Sequence, residues 1–161
     1  MSTSTSDLDL YSDSQHRCAV LKGTSGGIVF GQCIWMNFIN NIVADNYVQD
    51  GERNIAAVSD KTTLGAAFRN NCVPGYPEEE IAKWTAHVDN IDADPQFVAT
   101  NDPAQQWHLK RTSPCVDKGN IYSQNLKDAV DLDGKPRIHR RKIDMGCFEN
   151  DFTYGLMLIV R

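Results

Sequence analysis

From Cys18 onward the chain alternates short apolar runs with polar punctuation. The runs are Cys18–Leu21, Gly27–Phe30, Cys33–Met36, Phe38–Asn46, Asn54–Val58 and Gly65–Phe68, each bounded by Gly, Asn, Asp or Ser. Run starts recur at roughly 8–12 residues, the cadence of an all-β protein. Such a cadence fits a sandwich, a barrel or a β-helix. The asparagines favour the last. Phe38-Ile39-Asn40-Asn41-Ile42 and Phe68-Arg69-Asn70-Asn71-Cys72 share an apolar-x-Asn-Asn-apolar core. In a parallel β-helix each rung is one supersecondary unit, and polar residues at tight corners stack rung on rung. Asparagine suits such a corner because it tolerates left-handed backbone and hydrogen-bonds locally through its amide. Asn41 and Asn71 are therefore expected at equivalent corners of neighbouring rungs.

Residues 74–89 break the cadence. Pro77 fits a first helical turn, Glu78–Glu80 suit a helix N-terminus, and Ile81, Trp84 and Val88 fall on one helical face. This predicts one short helical excursion outside the β stack, and residues 119–130 are read as a second excursion. The tail after residue 150 ends in Leu156–Val160, five consecutive apolar residues that need a partner. Residues 1–15, rich in Ser, Thr and Asp, read as a flexible start.

From Asn90 to Glu149 the pattern changes to brief extended pieces pinned by turns. Asp94-Pro95 and Ser113-Pro114 force an extended residue before each proline, and Asp133-Gly134 is a hairpin turn dipeptide. In order, the stretch reads D-A-D-P-Q-F-V, H-L-K-R-T-S-P-C-V-D-K-G-N, D-L-D-G-K-P-R-I and I-D-M-G-C-F-E. This order and spacing resembles the C-terminal segment of bacterial right-handed parallel β-helix proteins, pectate-lyase-like and some carrying a choice-of-anchor module. The resemblance covers about sixty residues and implies an end piece that closes a solenoid, within proteins that are exported or cell-surface. Together the readings give an all-β fold: a short right-handed parallel β-helix of about three rungs over 16–149, with the end segment from 90 and the tail 150–161 beyond it.

Composition adds little to the fold and more to the function. The 161 residues suit one domain, and a net charge of −5 argues against a general nucleic-acid binder. The one basic run, His139–Lys142, reads as a solvated turn. The five cysteines show no zinc spacing and sit beside apolar neighbours. They read as buried free thiols, with Cys72 and Cys115 expected reduced, which suits a reducing compartment or thiols hidden from oxidant. The start of the chain carries no signal-peptide pattern and no stretch approaches the length of a membrane span, so the chain as it stands reads as cytoplasmic, against the exported family it resembles.

Candidate chemistry is sparse. Asp128, Asp131 and Asp133 are weakly similar to a calcium loop, but Leu132 and Lys135–Arg137 stand where oxygen ligands are needed. A lyase needs carboxylate-held calcium and a basic proton acceptor; Lys22, Arg53, Lys61 and Arg69 are the scattered candidates. A glycosidase needs two carboxylates across a cleft, for which Glu52, Asp60 and Asp89 can be named. His16, His87, His108 and His139 form no metal motif. The Gly23–Gly27 loop reads as a turn between rungs. Trp35, Trp84 and Trp107 leave carbohydrate stacking open. The expected function is a non-catalytic structural or binding module recognising carbohydrate, with a polysaccharide lyase, a glycoside hydrolase or an inactive remnant of one as the alternative. Self-association is expected through an open rung or through the tail 152–161, the tail being favoured.

Overall fold

The computed structural model describes residues 20–21, 28–30, 37–48, 51–52, 55–58, 67–75, 79, 82, 86–122 and 126–150. Every named element among them is a strand: β1 (Val20–Leu21), β2 (Ile28–Phe30), β3 (Asn37–Ile39), β4 (Ile42–Val43), β5 (Tyr47–Val48), β6 (Gly51–Glu52), β7 (Ile55–Val58), β8 (Ala67–Arg69) and β9 (Ala86–Val88). Residues 1–15, the Gly23–Gly27 stretch and the apolar tail fall outside the described residues, as do Cys18, Cys33, Trp35 and Trp84.

Among the described strands, pairing is parallel except between β5 and β6, so the described part is an all-β arrangement built on parallel sheet. Strands β3, β8 and β9 form one sheet, with Asn37, Ala67 and Ala86 in register and Phe38, Phe68 and His87 beside them. Strand β1 pairs with β4, and parallel bridges continue that row from Ile42 to Cys72 and from Cys72 to Ile91. Strand β2 pairs with β7, with an irregularity between Ile28 and Val29. Each parallel partner lies 19 to 30 residues away or thereabouts, so every pairing requires a crossover.

The helical excursion expected over 74–89 is not what residues 86–88 adopt. Glu79 has helical backbone, but Ala86–Val88 is strand β9, with Val88 exposed rather than on a buried helix face. The free edge of β8 offers backbone partners that outweigh the weak helical preference of three residues. The left-handed Asp89 then ends the segment.

Burial follows the rows. Phe38 stacks on Phe68 at 5.3 Å, nearly coplanar, and both are buried. Ile42, Ala44 and Cys72 join Leu109, Cys115 and Met145 in one cluster, with Ile91, Phe97 and Val116 packed against it. The strand rows and the end segment therefore share a core. Burying side chains of this size stabilises by about 1.5–3 kcal/mol each relative to exposure.

The end segment is turns and single bridges, as its sequence predicts. Val130 faces Pro136 across a turn at Asp131–Gly134, where Gly134 takes a φ of 79°. His139 and Lys142 exchange two backbone hydrogen bonds of 2.9 Å around Arg140 and Arg141, both left-handed. The basic run is thus a tight, mostly exposed hairpin turn. The expected excursion from 119 is corrected at its start: Gly119 and Asn120 lie against the corner of the stack.

Candidate functional site

Among the described residues, buried polar side chains gather in two places. The first is a ladder of amides at the corner between the rows. Asn71 Oδ1 accepts from the backbone N of Asn41 at 2.9 Å and from its Nδ2 at 3.2 Å. Asn90 Oδ1 accepts from the backbone N and Nδ2 of Asn71, both at 3.1 Å. The side-chain amides of Asn41, Asn71 and Asn90 also donate to the carbonyls of Ile39, Phe38 and Phe68. The expected stacking of Asn41 on Asn71 is what the structure shows, and Asn90 is a third step that the sequence reading missed.

Each ladder residue follows one with left-handed backbone: Asn40 at φ 63°, Asn70 at 51° and Asp89 at 56°. A left-handed residue turns the chain sharply between two strands, and Asn and Asp tolerate it best after Gly. The unit is therefore Asn/Asp followed by Asn, and Asp89-Asn90 is its third copy. The left-handed asparagines have a second task. Asn40 exchanges two hydrogen bonds with the backbone of Asn120, 2.6 and 3.0 Å, and Asn70 Nδ2 donates to Lys118 O at 3.0 Å. Residues 118–120 thus lie along the corner.

Glycines make this closeness possible. A Cβ on Gly119 would lie 2.5 Å from Ile143 Cγ1 and 2.8 Å from Asp144 O. One on Gly146, at φ 93°, would lie 2.8 Å from Ile42 Cδ1, and Gly146 N donates to Asn40 O. Gly119 lets residue 119 close against residues 143–144 within the end segment, and Gly146 lets that segment seat on Ile42 of the stack.

The second place is a buried ionic group. Arg137 Nη1 lies 2.8 Å from Glu149 Oε1 and donates to Gly146 O, while Nη2 reaches Asp144 O. Glu149 accepts from Asp144 N. Asp144 accepts from Asp117 N at 2.7 Å and from Asn150 N at 2.8 Å. Asp131 Oδ1 accepts from the backbone N of Asp133 and Lys135, and Oδ2 from that of Glu149. Burial pushes the Glu149 carboxyl up to about 8, with Arg137 pulling the other way, and burial also raises Asp144.

The remaining candidates separate. Asp131 spends both oxygens on backbone N–H groups. Asp133 instead pairs with His108 at 2.9 Å and Lys135 at 3.0 Å, and these two, His108 first, hold its carboxyl below the usual range. Asp128 is exposed. Among the described residues no group of three His, Cys, Asp or Glu side chains is arranged to hold a metal. Asp94 and Asp102, like Asp131, accept from the amide two residues on, the turn role expected of aspartates here. Asp89 is a corner residue. Arg69 stands on β8 with its Nε buried and without a hydrogen-bond partner among the described residues. Lys22, Arg53, Lys61 and Asp60 lie outside the described residues, as does the side chain of Glu52.

Of the histidines, His108 stacks on Phe148 at 4.0 Å and His87 is exposed on β9; His16 lies outside the described residues. Trp107 packs edge-on against Phe97 at 5.5 Å. Cys72, Cys115 and Cys147 are buried, and Cys72 and Cys115 are free thiols. The neighbouring Cys115 thiol, then burial, hold the Cys72 thiol far above its ordinary range. No family model, no curated protein and no solved structure matches this chain.

Proposed function

We propose that this chain is a structural or binding module: a short right-handed parallel β-helix of about three rungs, closed by the segment 90–149, with carbohydrate as its ligand class. The observation that carries the structural part is the use made of the segment's polar groups. Asp131, Asp144 and Glu149 accept backbone N–H groups, Arg137 donates to backbone carbonyls, and Asn40 and Asn70 hold the backbone of 118–120. Side chains bound in this way brace the chain rather than meet a substrate. Parallel partners spaced 30 and 19 residues apart along one corner support the rung arrangement. The resemblance of the segment to the closing pieces of β-helix proteins agrees with its place against the stack.

Self-association through the first rung belongs to the same reading. Among the described strands, β1, β2 and β3 each pair on one side only, and an open edge invites another chain. The test is a polysaccharide panel, acidic and neutral. Retention on immobilised glycan without turnover is the expected result. Unsaturated uronate absorbance or new reducing ends would overturn the module in favour of a lyase or hydrolase. No retention on any glycan would remove carbohydrate as the ligand class.

A further inference from the structure

Two thiols meet where the closing segment seats on the stack. Cys72 belongs to the stack. It forms parallel bridges with Ile42 on one side and Ile91 on the other, and its backbone bonds to Asn41 and Val43. Cys115 belongs to the closing segment. Its carbonyl accepts from Met145 N at 3.0 Å, and its own N–H donates to Ser113 Oγ at 3.1 Å. Both cysteines are 0% exposed and share one apolar cluster with Ile42, Ala44, Leu109 and Met145. The chain at 93–95 runs beside both. Cys72 Sγ donates to Ala93 O at 3.2 Å, and Ser113 Oγ, two residues before Cys115, donates to Pro95 O at 2.6 Å. The two thiol side chains interact directly.

A buried thiol by itself is a small hydrophobe. Two neighbouring thiols, one from each side of a seam, are the arrangement that a disulfide requires. We propose that Cys72 and Cys115 form a redox latch, in which a disulfide between them fastens the closing segment to the stack. The oxidant is a low-molecular-weight disulfide. One protein thiolate attacks it, forming a mixed disulfide and releasing one small thiolate. The second protein thiolate attacks the protein sulfur of that mixed disulfide, closing the Cys72–Cys115 bond and releasing the other small thiolate. Two protein thiols are oxidised, one small disulfide is reduced to two thiols, and the two protons pass to the released thiolates. Burial gates the exchange. The Cys115 thiol, then burial, keep Cys72 protonated while the segment is seated, so the oxidant reacts when the segment lifts in a local opening. Reseating then brings the sulfurs together and shields the bond from reductant. The link closes a loop of roughly forty residues and so restricts the unfolded chain. In a reducing compartment the bond does not persist, and the seam is held by packing and hydrogen bonds alone.

The test incubates the full chain, reduced and freed of reductant, with oxidised glutathione at neutral pH, without urea and in urea below the unfolding transition. Remaining thiols are blocked with iodoacetamide, and the non-reduced digest is read by mass spectrometry. The expected product joins the peptides holding residues 72 and 115, lighter by two hydrogens than the free pair, and it forms faster in the dilute urea. Its urea midpoint should rise by about 1–2 M over the reduced protein, and dithiothreitol should reverse the rise. Cys115→Ala should abolish the link and the rise together. Joining of residue 72 or 115 to any other cysteine, a glutathione adduct that persists on either, or both thiols still free after prolonged exposure would overturn the proposal. A 72–115 link that leaves the midpoint unchanged would overturn the latch. None of these readouts depends on whether the module binds glycan.

Discussion

At the corner of the stack the buried polar groups are neutral amides, whereas in the closing segment they are ionisable carboxyls gathered round one guanidinium. The difference follows from repetition. A ladder sets the same side chain over itself at about the spacing of adjacent strands, ~4.8 Å. Two carboxylates so placed would repel by about 3 kcal/mol at an effective dielectric of 20. An amide carries donor and acceptor together and complements its own copy, which is how Asn41, Asn71 and Asn90 follow one another. In the closing segment each position is used once, so an ion can be matched to one opposite ion, as Arg137 is to Glu149. Amides build what recurs, and ionisable groups with a single partner lock what occurs once.

The strongest way to break this contrast is to remove one ion. Arg137→Met should cost about 3–5 kcal/mol where Glu149 is ionised, because a buried carboxylate is left alone. The cost should shrink at low pH, where Glu149 holds its proton. The sign in the parent protein follows from the raised carboxyl. Its folded-state value, about 8, exceeds the ordinary 4.5, so the native state keeps a proton that the unfolded chain releases. The stability this gives is complete below about 4.5 and is lost as pH rises toward about 8. Urea unfolding from pH 4 to 9 should show that decline, and Glu149→Gln should flatten it. A cost of Arg137→Met that does not vary with pH would contradict the ionic account.

The ladder is sharpened by its middle step. Asn71→Ala should cost about 2–4 kcal/mol, since the backbone N of Asn41 and the carbonyl of Phe38 lose their partner together and the amide oxygen of Asn90 keeps only the residue 71 backbone N. Asn71→Asp should be as damaging near neutral pH and partly recover in acid, because a carboxylate there faces two oxygens. Equal midpoints for Asn71→Asp and wild type in urea would remove the neutrality argument.

The sequence announced half of each region. Asn40-Asn41 and Asn70-Asn71 were legible because the same letters recur between apolar neighbours. Asp89-Asn90 was not, for two reasons. Its left-handed position is taken by Asp instead of Asn, and Val88 fell into an apparent helical stripe with Ile81 and Trp84. In the end segment the turns were legible from Pro and Gly, since those residues act locally. The ionic group was hidden because Arg137 and Glu149 are joined only by the fold. Alternation alone assigns no inward face to the hairpin around Asp133-Gly134, and the structure buries Asp131 and Arg137 rather than Val130 and Ile138. Segments read from apolar content alone, such as β1, β2 and β7, were placed correctly to within a residue or two.

The smallest effects separate backbone from side chain within the corner unit. Asn70→Ala should cost about 1–2 kcal/mol through its left-handed conformation alone, plus the bond to Lys118 O. Asn70→Gly should cost only that bond. Asp89→Gly should be neutral to within about 0.5 kcal/mol, as for surface changes in general. Chemical denaturation of the three variants side by side checks the order, and a costly Asp89→Gly would show that Asp89 has a role beyond its backbone.

The unequal intervals of 30 and 19 residues between ladder steps have a consequence for engineering. Two steps of very different chain length arrive at the same corner with the same hydrogen bonds. The corner thus acts as a fixed datum, and the length of the intervening chain is a free variable. A foreign peptide inserted between Asn41 and Asn71, away from the paired strands, should change the contour of that turn of chain without shifting the register on either side. The molecule is in that sense a display frame whose payload can grow while its alignment marks stay in place.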